Sequence, residues 1–178
     1  MQVLNEEGLV YFPIPEDQLA FCAWRGSAVH YACLLDDEGD LDEATVEPAH
    51  RGYLEAWRKC KALLRPEFIC AETQLYNSVF CYAGTIDRLV RLPGKRRPQL
   101  WDLKTGIPQK AARIQTAAYA HLTMPHASHG PYEYDRYAVR LTKEGDYAMQ
   151  EHPLADLSKD FEMFRAALML NAWKKENR

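Results

Sequence analysis

The chain has 178 residues and a formal net charge of −3, long enough for one domain with a real hydrophobic core. Its 47% hydrophobic and 26% charged residues exclude a disordered chain, and no apolar stretch approaches the roughly 18–20 residues that span a bilayer. The slight acidity argues against a nonspecific nucleic-acid coat, although the distribution of charge matters more than its sum. Met1 to Glu7 lack a basic segment and an apolar run, so no secretory leader is expected and the expected compartment is cytoplasmic. The five cysteines (Cys22, Cys33, Cys60, Cys70 and Cys81) are odd in number and form no Cys-x-x-Cys pair. That usage fits reduced thiols better than a disulfide frame or a zinc site.

No repeat and no Pro/Gly/Ser-rich linker divides the chain, so residues 1–178 are expected to form a single domain. Residues 1–12 are expected to start with an irregular or short strand segment, broken by Pro13 and Pro15. Apolar spacing predicts a helix from Arg25 to about Leu35, ended by the acidic loop Asp36-Asp37-Glu38-Gly39-Asp40. Pro48 suits the first turn of a second helix, which runs to about Leu64 and stops before Pro66. Three strands follow, Phe68–Tyr76, Val79–Leu92 and Gln99–Thr105, with turns at Asn77-Ser78 and Pro93-Gly94-Lys95. Residues 109–124 read as an Ala-rich helix, and Met124–Tyr132 as a His/Gly/Pro loop. Tyr134–Leu141 and Tyr147–His152 make a strand pair around Lys143–Asp146. A last amphipathic helix covers roughly Leu154–Lys174, with Leu157, Phe161, Phe164, Leu168 and Trp173 on or near its buried side. Helices around a mixed central sheet give an α/β fold class.

The segments Gly84-Thr85-Ile86-Asp87 and Asp102-Leu103-Lys104-Thr105-Gly106 carry most of the chemistry. A strand points residues i and i+2 to one face, so Trp101 and Leu103 can enter a core while Asp102 and Lys104 project together from the other side. A hairpin turning at Gly94-Lys95 sets Asp87 opposite Asp102. Two carboxylates so placed repel unless a cation lies between them, and oxygen-rich sites suit Mg²⁺. Read alone, Lys104 is also consistent with an exposed strand lysine paired to Asp102. Arg88, Arg91, Lys95, Arg96 and Arg97 cluster in the same hairpin, where Lys95–Arg97 fit either a solvated tip or phosphate contacts.

Gly84–Asp87, then Trp101–Gly106, then Gln115-Thr116-Ala117-Ala118-Tyr119 resemble the PD-(D/E)xK nuclease superfamily. The likeness is to its RecB-type branch, whose pattern is GxxD, DxK and QxxxY in that order. That branch carries an upstream histidine on a helix, and Arg25-Gly26-Ser27-Ala28-Val29-His30 looks like that element. The match spans residues 25–120. The resemblance implies a restriction-endonuclease-like core and a metal-dependent DNA nuclease that hydrolyses phosphodiester bonds, with exonuclease action the expectation. A structure-specific endonuclease on the same fold, or a non-catalytic nucleic-acid-binding module, are the alternatives.

Under that resemblance Asp87 and Asp102 bind Mg²⁺ or Mn²⁺, His30 completes the metal site, and Lys104 holds or activates the attacking water. Read alone, as a lone histidine on an apolar helix face, His30 is more simply a satisfied core residue. Gln115 and Tyr119, four apart on a helix, share a face; they sit beside the site or form a polar rim. Lys110 and Arg113 add phosphate contacts from that helix or are solvated. A simple Asn77-Ser78 hairpin pairs Glu72 with Ala83, about four residues from Asp87 along the strand. Glu72 then supports a second metal, orients Lys104, or forms a structural ion pair. Some RecB-type nucleases hold an iron–sulfur cluster with three late cysteines. None follows Cys81 here, so no cluster is expected. The GxxxxGK[ST] motif of helicases is also absent, so the expected partner is DNA, with any recombination or helicase function on a separate protein. His126 and His129 are a further metal candidate, more simply read as loop residues.

Overall fold

A computed structural model of the chain describes residues 15–108, 110–122 and 130–177. Helix α1 (Glu16–Glu38) and helix α2 (Arg51–Leu64) precede strands β1 (Glu67–Asn77), β2 (Tyr82–Arg91) and β3 (Gln99–Lys104). Helix α3 (Ala111–Leu122) then crosses to β4 (Asp135–Leu141), followed by β5 (Tyr147–His152) and the terminal helix α4 (Leu157–Glu176). The sheet order is β1-β2-β3-β4-β5, parallel only between β3 and β4 and antiparallel elsewhere. The expected α/β class is therefore present: a mixed five-stranded open sheet flanked by helices, as a restriction-endonuclease-like core requires. Among the described residues no helix is long and apolar enough to cross a membrane.

Strand alternation divides the interior into two cores. Leu89 and Leu100 face one way and, with Ile86, pack with α3 and α4 through Leu122, Phe161 and Phe164. Val90, Trp101 and Leu103 face the other way and meet Val29, Cys33 and Trp57 of α1 and α2. Gly52 lets α2 press onto the β4–β5 turn, because an added Cβ would stand 1.8 Å from the Lys143 carbonyl oxygen. On the other face, fully buried Arg136 donates to the carbonyls of Arg113 and Pro153 and to Asp160 Oδ2 at 3.1 Å. Asp160 also accepts from Arg113 Nε at 2.7 Å. One buried carboxylate thus ties α4 to α3 and β4.

Several expectations need correction. Helix α1 begins nine residues before Arg25 and continues through Glu38, so Asp36 and Asp37 are helical; Gly39 caps the helix in the left-handed region, at φ 77°. Val79 lies in the turn after β1. Asn77 Oδ1 accepts the amides of Val79 and Phe80, extending the turn to four residues and bringing Asn77 opposite Tyr82. Arg113 is spent on Asp156 and Asp160, which removes it from phosphate contact. Trp173 is 61% exposed, not on the buried side of the last helix. The basic hairpin tip sits at the opposite end of β3 from Lys104, so Lys95–Arg97 are at least one six-residue strand away, roughly 17 Å at about 3.3 Å per residue. The segment read at residues 1–12, and His126 and His129, lie outside the described residues.

His152 and Thr116 join β5 to α3, with Nδ1 and Oγ1 2.8 Å apart. Burial, with Arg136, Arg113 and Lys104 nearby, pushes the imidazole from 6.5 to about 4. The unfolded chain therefore takes up a proton that the fold resists, so this stabilisation is intact above pH 6.5 and lost as pH falls toward 4. Between pH 7.5 and 5, urea-derived stability should fall about 2 kcal/mol further in the wild type than in His152→Asn. Equal pH slopes would show that another group titrates.

Candidate metal centre

The site forms where β2 and β3 part. Their ladder pairs Val90 with Gln99, Leu89 with Leu100 and Arg88 with Trp101, and stops there. Continued by one residue, the register sets Asp87 against Asp102, as the Gly94-Lys95 hairpin requires. Beyond the ladder, Leu103 has no partner strand on its β2 side, and its backbone groups must be satisfied otherwise. Asp87 Oδ2 accepts the Leu103 amide at 2.7 Å, and His30 Nε2 lies 3.0 Å from the Leu103 carbonyl oxygen. A carbonyl only accepts, so Nε2 is the protonated nitrogen.

That assignment leaves Nδ1 of His30 facing two acids, Glu72 Oε1 at 3.4 Å and Asp87 Oδ2 at 3.6 Å. Burial disfavours the imidazolium, but Asp87 and Glu72 outweigh it and raise the pKa to about 8. Without a metal the cluster is held by this proton; a neutral imidazole offers Nδ1 as a ligand. Ligand atoms of His30, Glu72 and Asp87 all lie within 4.8 Å of one another. Glu72 is therefore much closer to Asp87 than the simple hairpin predicts. The four-residue turn pairs Tyr76, not Glu72, with Ala83. Glu72 falls between the pairs Ala71–Arg88 and Thr73–Ile86, which puts it across from Asp87.

Asp102 and Lys104 point to the α3 side of the sheet, away from the core of Trp101 and Leu103. Helix α3 covers that side, so Asp102 is fully buried. Lys104 Nζ donates to Asp102 Oδ1 at 2.8 Å and to Gln115 Oε1 at 3.0 Å. Gln115 Nε2 in turn donates to the Tyr119 hydroxyl at 2.5 Å. Burial lifts Asp102 to about 6 despite Lys104, with Asp87 adding repulsion. Tyr119 is raised well above its ordinary range by burial and the negative charge of Asp87 and Asp102, so it remains a phenol. Gln115 and Tyr119 thus touch the lysine side of the site. Asp102 stands outside the three-residue cluster, both oxygens turned to Lys104.

Two residues escaped the sequence reading. Arg88, grouped there with surface-basic residues, is fully buried and donates to Glu72 Oε1 at 2.9 Å and Asp37 Oδ2 at 2.8 Å. Asp37, assigned there to an acidic loop, also accepts from Trp57 and Lys61. The one signal for Arg88 in the sequence is its charge beside Asp87 within the apolar β2 run, Ile86-Asp87-Arg88-Leu89-Val90, and Asp37 gives no such signal.

The glycine of the first motif has a packing role. A Cβ at Gly84 would lie 2.9 Å from Leu122 Cδ1 and 3.5 Å from Tyr119 Cε1, so glycine lets α3 approach closely enough for Gln115 to reach Lys104. Gly84→Val should cost about 1–3 kcal/mol in urea unfolding by overpacking. Combined with Leu122→Ala, it should cost less than the two single changes together. Simple additivity would place the crowding elsewhere.

Compared with protein-family models and with curated proteins, the chain matches none.

Proposed function

We propose that the protein is a metal-dependent nuclease of the RecB-like PD-(D/E)xK type, hydrolysing phosphodiester bonds in DNA. The observation that carries the reading is Lys104, hydrogen-bonded between Asp102 and Gln115, beside a His30–Glu72–Asp87 cluster. Two carboxylates and an imidazole suit a divalent cation, and the oxygen-rich balance suits Mg²⁺ or Mn²⁺. Asp102 Oδ1 and Oδ2 lie 2.8 and 2.7 Å from Lys104 Nζ, so this buried carboxylate serves the lysine. His30, Glu72 and Asp87 would hold the ion, while Asp102 holds Lys104 beside them. Once bound, the ion would supply Lewis-acid polarisation of a phosphate oxygen.

The chain's own groups account for the remainder. Lys104 Nζ presents a charge at the site, positioned to orient a water for attack at phosphorus and to offset charge on the phosphate oxygens. Gln115 fixes the ammonium from the side opposite Asp102, and Tyr119 fixes Gln115. Attack forms one P–O bond to water, whose proton passes to solvent, and breaks one to the leaving sugar oxygen, which takes a proton from solvent. The preference for chain ends comes from the RecB-type resemblance. The intact Asp87, Asp102 and Lys104 favour turnover over a module that only binds, since such a module has no need of repulsive acids.

Lys104→Ala should reduce Mg²⁺- or Mn²⁺-dependent cleavage of labelled linear DNA by about 100-fold or more. The fold should survive, because Asp102, already lifted to about 6, can take up a proton when its partner is removed. Undiminished metal-dependent cleavage by the purified variant would sink the assignment. Including closed circular DNA separates an end-dependent enzyme, which spares it, from an endonuclease, which opens it.

A further inference from the structure

Arg88 belongs to no part of the mechanism above, yet it is among the largest fully buried side chains. Its Nη1 donates to Glu72 Oε1 at 2.9 Å and to the Asp87 carbonyl at 2.6 Å, and its Nε donates to Asp37 Oδ2 at 2.8 Å. The guanidinium lies 5.5 Å from the Trp57 ring. Even so, Nη2 is buried without a hydrogen-bond partner. A buried ion pair seldom stabilises more than a well-packed apolar side chain of similar size, and one unsatisfied donor worsens the comparison. Stability alone is therefore a poor reason for an arginine here. Its rigid fork, which fixes the direction of each carboxylate it meets, is a better one.

Glu72 needs such fixing. Its φ is 42°, in the left-handed region that non-glycine residues avoid and that persists only where the surroundings enforce it. In an unbroken strand Glu72 would share a face with Asp87 and turn away from Arg88. Here the same atom, Glu72 Oε1, meets both Arg88 and His30. Asp37 holds Arg88 in turn, and is itself held by Trp57 Nε1 at 2.8 Å and Lys61 Nζ at 2.7 Å. His30 and Asp37 are seven residues apart on α1, two turns along one helix face. That face carries both a ligand of the site and the anchor of the arginine that aims another ligand.

We propose that Arg88, anchored by Asp37, is a positioning residue that holds the strained Glu72 in the cation site. The inference rests on the cation site proposed above. Arg88 acts through Glu72 and does not touch the cation or the substrate.

The test is Mn²⁺ affinity of the full chain, read by calorimetry and by the paramagnetic resonance of free Mn²⁺, with urea unfolding of every variant. Glu72→Gln should weaken binding by about 10-fold or more, and Arg88→Met by a similar factor in a folded protein. Arg88→Lys should recover part of that loss. The Glu72→Gln/Arg88→Met double variant should bind no more weakly than Glu72→Gln alone, because Arg88 meets Asp87 only at its backbone carbonyl and Glu72 is the one proposed ligand side chain it holds. Wild-type affinity in folded Arg88→Met, or a double variant whose loss is the product of the two single losses, would overturn the proposal. If Arg88→Met does not fold, Asp37→Asn decides: weakened Mn²⁺ binding that Glu72→Gln does not deepen supports the relay, and wild-type affinity overturns it. No Mn²⁺ binding by the wild type would overturn the cation site, and this inference with it. Normal wild-type binding with no effect of Arg88 or Asp37 overturns the positioning role alone.

Discussion

The Leu103 peptide is the constraint on which the site depends. Where β2 leaves β3, its N–H and C=O lose their ladder partners, and buried backbone groups cannot be left unpaired without a cost of about 1–3 kcal/mol each. Asp87 takes the amide and His30 lies against the carbonyl. Each side chain is thereby fixed by a secondary-structure requirement, and the rest of each faces the gap. The parting of two strands and the assembly of a ligand cluster are one event.

Around that gap the charges divide into two systems, one on each face of the sheet. On the α3 face, Asp102, Lys104, Gln115 and Tyr119 form a chain ending at a neutral phenol. On the α1 and α2 face, Glu72, Arg88, Asp37 and Lys61 form a chain that ends at a half-buried lysine. Asp87 lies between them. In low dielectric an ionised carboxylate is costly even beside a cation, and burial lifts Asp102 to about 6 despite Lys104. His30 is raised as well, to about 8, because two acids face it. Upward shifts in both neighbouring groups mark an arrangement short of positive charge, which an added cation would supply.

Much of this was legible in the sequence where local rules suffice. Period-two alternation separated Trp101 and Leu103 from Asp102 and Lys104, a glycine turn fixed the β2–β3 register, and a four-residue interval put Gln115 and Tyr119 on one helix face. Reading failed where a local rule had a competitor. Asn77 can end a strand as a turn residue or, as here, cap a longer turn with its side-chain oxygen, and the four-residue difference moves Glu72 from Ala83 to Asp87. Arg88 and Arg113 looked like surface cations because their acids, Asp37 and Asp160, lie 51 and 47 residues away in sequence. Only the fold brings those pairs together. Trp173 was assigned inward from apolar spacing, but α4 carries apolar residues on more than one face, Met169 and Leu170 also being exposed.

The errors and the strain fall in the same place. Glu72 is the residue whose register was misread and also one of the few non-glycine residues with positive φ among those described. Sequence patterns report what a regular strand would do, and a site that needs a side chain off the pleat must break that pattern. Such a break survives only if something nearby enforces it. Here the enforcing group is a buried arginine that leaves one of its own donors unsatisfied. A hydrophobe in place of Arg88 would remove the donor that meets Glu72 Oε1 and, with it, the group that turns this carboxylate out of the strand's regular pleat. Both departures from the stable choice bear on one carboxylate, which makes the orientation of Glu72 the property this part of the fold is arranged to keep.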